Sequence, residues 1–229
     1  MIRVRTIVAI LLLTIIPALA SAELDTGLRK MKQEQDKVAL TELEKKADTA
    51  NDYLELARRY RQGIGTAPDM KKSMEWLRKA AEKGNINAQF SLGYLYLSGT
   101  GGPRSMSKAL EWLTKAANSG HANAQFYLGS ICESGEGLRA PDKVKAASWY
   151  TMAAERGHSE AQFRLAMLYQ AGTGVVKNET EAKRWLKASA AKGNVLAKSE
   201  LERIEPTQRG NKPTVAPPAA KPVIIIPGK

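Results

Sequence analysis

The sequence predicts an all-α solenoid of stacked antiparallel helix pairs, and three regularities carry that prediction. The tripeptide Ala-Gln-Phe occurs at Ala88–Phe90, Ala124–Phe126 and Ala161–Phe163, at intervals of 36 and 37 residues. All four tryptophans, Trp76, Trp112, Trp149 and Trp185, keep the same period, spaced 36, 37 and 36. Between them recur glycine pairs: Gly63 with Gly65, Gly99 with Gly101, Gly135 with Gly137, Gly172 with Gly174. Each period therefore reads as helix, glycine turn, helix.

In chain order, Met1–Ala22 reads as a secretory signal peptide. Arg3 and Arg5 give the positive start, Ile7 to Ile16 the apolar stretch, and Ala20-Ser21-Ala22 a small-residue cleavage site. That stretch is short for a membrane span, and Glu23 offers no cysteine for lipid attachment. No stable transmembrane anchor is expected after cleavage. Residues 23–48 are charged and helix-prone, with Leu40 one period before Trp76, so Asp36–Ala47 is expected to cap the open end of the stack as a degenerate second helix.

Four units follow, at 49–84, 85–120, 121–157 and 158–193. In the second, Ala88, Leu92, Gly93 and Tyr96 fall on one face of a first helix. Gly99 and Gly101 supply a left-handed turn. Ser105 then stands at the N-cap of a second helix whose inner stripe is Ala109, Trp112, Ala116 and Ala117, with Gly120 at its end. Small residues let the helices approach, and the tryptophan is expected to fill the space between them. The corresponding caps are Asp69, Asp142 and Asn178. The third unit's extra residue falls between Gly137 and Trp149, where a loop can absorb it.

Residues 194–204 continue the first-helix register through Ala197 and Leu201 and are expected to form a half-unit cap. Residues 205–229 hold six of the ten prolines and are expected to be disordered or extended.

These repeats resemble the Sel1-like repeat family, a relative of the tetratricopeptide repeat. Leu92-Gly93, Tyr96, Gly99-Thr100-Gly101, Lys108-Ala109, Trp112 and Ala116-Ala117 match its pattern in one unit. Ala57 and Ala166 replace the first glycine, Cys132 the tyrosine and Ser189 an alanine. The resemblance covers roughly Thr49 to Ile204. It implies a right-handed superhelical solenoid, about four repeats plus capping helices, and a scaffold role in signalling, envelope assembly or host interaction. By analogy with tetratricopeptide solenoids, the first helices line a concave face. Arg58, Arg61, Tyr94, Asn123, Glu133 and Arg164 are then the expected partner-binding positions, each of which is otherwise ordinary surface.

The chain carries a formal net charge of +12, and removing Arg3 and Arg5 leaves 33 basic residues against 23 acidic. That balance favours a protein partner with an acidic face or an anionic envelope component. The basic residues are scattered among acids, which argues against nucleic acid.

Ser105-Met106-Ser107-Lys108 has the S-x-x-K spacing of serine penicillin-binding enzymes, but neither S-D-N nor K-T-G accompanies it, and the cap register explains Ser105. A cell-wall or β-lactam hydrolase is the alternative that this pattern and a cysteine-rich branch of the family leave open. His121 and His158 occupy equivalent loop positions, as a helix-end device or as two metal ligands without a third. No cofactor or metal is predicted. Cys132 is the only cysteine, which excludes an internal disulfide, and its tyrosine register predicts burial. Ile224, Ile225 and Ile226, between Pro222 and Pro227, read as a strand for a partner sheet, an inert tail or a segment folded back on the repeats. The sequence thus predicts an exported, non-enzymatic, periplasmic or secreted scaffold.

Overall fold

In the computed structural model the backbone is described for residues 2–205 and the side chains for residues 24–205. Among the described residues there are ten helices and no strand. α1 (Ile2–Lys46) is followed by four pairs: α2 (Ala50–Gln62) with α3 (Met70–Glu82), α4 (Ile86–Ser98) with α5 (Met106–Asn118), α6 (Ala122–Ser134) with α7 (Lys143–Glu155), and α8 (Ser159–Ala171) with α9 (Glu179–Ala191). α10 (Val195–Ile204) packs on α9. The expected signal peptide has its side chains outside the described residues, and the proline-rich tail lies beyond them.

The repeat motif explains how one pair docks on the next. Ala88, Ala124 and Ala161 are fully buried, so the chain can pass close to the preceding helix. The glutamine after each alanine donates its Nε2 proton to a carbonyl in the last turn of that helix. Gln89 reaches Ala81 O at 3.2 Å, Gln125 reaches Ala117 O at 2.9 Å, and Gln162 reaches Ala154 O at 3.0 Å. Those carbonyls also accept the backbone N–H of the glycine after each helix, Gly84, Gly120 and Gly157, so the glutamine amide is a second donor that ties the next unit to them.

Caps set the helix starts. Asp69, Asp142 and Asn178 accept backbone N–H bonds of 2.9–3.0 Å from Lys72, Lys145 and Glu181. Ser105 departs from the expectation: it holds the N-cap place of α5, but its hydroxyl makes no cap bond. Ser105 instead borders a cleft beside α3. Gly99 ends α4 at φ +74°, as a left-handed cap requires. Gly101 does not adopt that backbone; a Cβ there would lie 2.3 Å from Met74 Sδ, so it is small for contact. The extra residue of the third unit lies in the 135–142 connection, one residue longer than 99–105.

The core differs from expectation in one column. The deepest large side chain of each second helix is the residue after the tryptophan: Leu77, Leu113, Tyr150 and Leu186 are at most 5% exposed. Trp112 and Trp185 are buried in the core as expected, Trp76 and Trp149 are half-buried, and three of the four carry a cation over the ring: Lys79 on Trp76, Lys115 on Trp112 and Arg184 on Trp185. At the N-terminal end Leu40 of α1 is buried against Leu56 and Tyr60, and Tyr60 donates its hydroxyl proton to Glu44 Oε1 at 2.5 Å. At the other end Ser189, in an alanine column, is fully buried because it donates to Ser159 O at 2.7 Å.

Candidate functional site: an aromatic face on the first helices

Phe90, Tyr94, Phe126 and Tyr127 sit on α4 and α6, and His121 and His158 cap α6 and α8. The six rings form a continuous ladder. His121 stacks on Phe90 at 4.3 Å and His158 on Phe126 at 4.6 Å. Tyr127 lies 5.9 Å from Phe90, 5.7 Å from Phe126 and 5.4 Å from Tyr94. Tyr94 is 41% exposed while the other five are half-buried. Burial, with the Tyr94 phenol beside it, raises the Tyr127 pKa, so the Tyr127 phenol stays neutral at neutral pH and keeps an O–H to donate. Such a surface offers flat apolar area with polar edges, the composition enriched where proteins bind proteins.

The histidines join this face to the stack. Each Nδ1 accepts a backbone N–H, from Ala124 at 3.3 Å for His121 and from Ala161 at 3.1 Å for His158. This is the helix-end role that their register predicts, and it commits Nδ1 of each ring. At the outer junctions the same place is polar: Asn85 donates to Asn51 at 2.9 Å and Asn194 to Glu160 at 3.1 Å.

Burial lowers both histidine pKa values, with Glu160 partly offsetting it at His158. A lowered folded-state pKa means that the unfolded chain binds protons more readily, so stability falls as pH drops. The loss begins near the ordinary histidine value of 6.5 and continues down through the lowered folded values. Protonation removes the Nδ1 acceptor, and each cap is worth on the order of 1 kcal/mol. A cation–π gain over phenylalanine, at about 0.5–1 kcal/mol, offsets only part of this. The expected result is a melting temperature that drops between pH 7 and pH 5, and less so in His121→Asn/His158→Asn, whose amides cap without titrating. Equal pH slopes in the two proteins would refute the assignment.

The sequence-predicted partner positions are dispersed. Arg58 is exposed but bridged to Glu55 at 2.6 Å and bonded to Gln62. Arg61 is exposed and lies with Arg58, Leu54 and Leu95 around a shallow cleft. Asn123 is exposed, and Arg164 pairs with Glu160 at 3.3 Å. Glu133 is half-buried and accepts the Tyr150 hydroxyl at 2.8 Å. Only Tyr94 belongs to the ladder. Ile224, Ile225 and Ile226 lie outside the described residues. Cys132 is buried, and burial pushes its thiol pKa up, which makes it a poor nucleophile. Lys108 Nζ lies 5.2 Å from the centre of the Tyr96 ring. Among the described residues Ser105 and Lys108 share no side-chain hydrogen bond, no three potential ligands cluster for a metal, and no helix is long and apolar enough to cross a membrane.

The Sel1 repeat family model matches residues 52–85, 86–121, 122–158 and 159–194, more than half of the chain and in the register of the four helix pairs. The chain belongs to the Sel1 repeat family. Sel1 repeats are generally protein–protein interaction scaffolds. Among solved structures the chain is similar to a protective antigen of uropathogenic Escherichia coli strains displaying an SLR fold, at 35% identity and a TM-score of 0.68. It is similar too to a Sel1 repeat protein from Oxalobacter formigenes, at 29% identity and the same TM-score. These matches cover 72% and 74% of this chain but only 36% and 49% of the other chains, so it spans between a third and a half of their length. Comparison with curated proteins gives no match.

Proposed function

We propose that this Sel1 repeat protein is an exported, non-enzymatic scaffold that binds a protein partner across the aromatic face of α4 and α6. The observation that carries the proposal is the ring ladder centred on Tyr94 and Tyr127, which presents amphipathic aromatic surface on a rigid helical support. Export rests on the basic, apolar and small-residue order of Met1–Ala22. The scaffold reading is favoured over a hydrolase because a serine nucleophile needs its base within hydrogen-bond reach. Lys108 is instead placed against Tyr96.

The test is capture of envelope proteins by the purified chain and by Tyr94→Ala/Tyr127→Ala. Partner affinity is expected to fall by about tenfold or more, in the range of aromatic hot spots. The helical circular dichroism should be unchanged, since neither ring is fully buried. Retention of full affinity by the double variant would exclude this face. Loss on deleting Pro222–Lys229 instead would move recognition to the tail.

A further inference from the structure

A cleft of about 390 Å³ lies where the first helix pair meets the second, between α3 and the Gly101–Ser105 connection. Lys71 and Arg78 enter it from α3, Arg104 from the connection and Lys108 from α5, against a single carboxylate, Glu75. Arg104 is held by its Nε bond to Leu97 O at 2.8 Å and pairs with Glu136. Lys71, Arg78 and Lys108 have no carboxylate within 4.0 Å among the described residues. Ser105, whose hydroxyl makes no capping bond, lines the same cleft.

The junction between the second and third pairs does not gather charge in this way: Lys71 and Arg78 are replaced by Ser107 and Thr114, and Arg104 by Pro141. The lysine equivalent to Lys108 is Lys145, and Asp142 neutralises it at 3.1 Å. Three cations with no ion-pair partner, facing only Glu75 in one concavity, repel one another, which raises the local potential and favours an anion there.

We propose that this cleft binds a phosphate group. The cations come from two helices and a connection that line one concavity, so they do not share a single edge. A tetrahedral dianion offers acceptor oxygens in all those directions, together with one for the Ser105 hydroxyl, whereas a carboxylate offers two oxygens in a plane. The group could belong to a free phosphomonoester or to an anionic lipid headgroup; the chemistry recognised is the same.

The experiment is a titration of the purified protein with inorganic phosphate at constant ionic strength, followed by backbone amide chemical shifts. Saturable shifts are expected at Lys71, Arg78 and 101–108. In Lys71→Ala/Arg78→Ala, both exposed positions, affinity should fall about tenfold or more, as loss of two charge-assisted contacts implies. Lys183→Ala/Lys187→Ala removes the same charge from α9 and should change it less than about twofold. Shifts spread over every lysine-bearing helix, or equal losses in the two variants, would reduce the effect to a diffuse ion atmosphere and overturn the proposal. Acetate binding as tightly as phosphate would overturn the tetrahedral assignment. Sedimentation with phosphatidylglycerol vesicles, abolished by Lys71→Ala/Arg78→Ala, would assign the headgroup; phosphate binding without vesicle binding would assign the free ester.

Discussion

Leu113→Ala is expected to lower the unfolding free energy by about 2–5 kcal/mol, the range for emptying a leucine-sized volume in a packed core. Leu113 is fully buried, clusters with Ala116, Leu128 and Ile131 towards the third unit, and lies against Gly93 of α4. Trp112→Ala should cost a comparable amount, about 3–5 kcal/mol, but among a different set of neighbours. Trp112 belongs to the cluster of Leu77, Ala81, Leu92 and Tyr96, towards the first unit. Because each unit contacts mainly its neighbours, a cavity weakens local interfaces before distant ones. Native-state hydrogen exchange should therefore quicken first in α4 and α6 for Leu113→Ala and first in α3 and α4 for Trp112→Ala. Identical exchange patterns in the two variants would mean that the stack unfolds as one unit and that the division into separate clusters has no energetic meaning.

The same pair of residues shows what the sequence could reveal. Spacing placed Trp112 on the inner stripe of α5 with Ala109, Ala116 and Ala117 and passed over Leu113, the very next residue. Period locates a column but says little about its depth. The column after tryptophan reads Leu, Leu, Tyr, Leu, and its burial depends on which helix crosses it. Gln125 and Phe126 were visible as a repeated pair, yet their partners, Ala117 O and the His158 ring, lie in neighbouring helices. Of the predicted partner positions, Tyr94 joins the aromatic face because its own helix turns it towards Phe90. Glu133 is occupied by a hydroxyl from α7, and a contact between helices leaves no trace in the spacing of either.

One such contact yields a sign that propensity alone would get wrong. Glycine inside a helix is worse than alanine by roughly 0.5–1 kcal/mol, so Gly129→Ala on an exposed face would stabilise. Here an added Cβ would lie 2.6 Å from Tyr150 Cδ1 and 2.7 Å from Cε1. The ring has little room to retreat, being 1% exposed and tied through its hydroxyl to Glu133 at 2.8 Å. Overpacking of this kind costs about 1–3 kcal/mol, enough to outweigh the propensity gain. The first and fourth units show the compatible pairing, with Ala57 where Leu77 follows its tryptophan and Ala166 where Leu186 does. Tyr150→Leu alone should destabilise, through lost volume and the unpaired Glu133. Added to Gly129→Ala, it should cost far less, giving a favourable coupling of about 1 kcal/mol or more in a double-mutant cycle. Additive losses, or a higher melting temperature for Gly129→Ala by itself, would show that the third unit relaxes around the new methyl group and that ring and glycine are not matched.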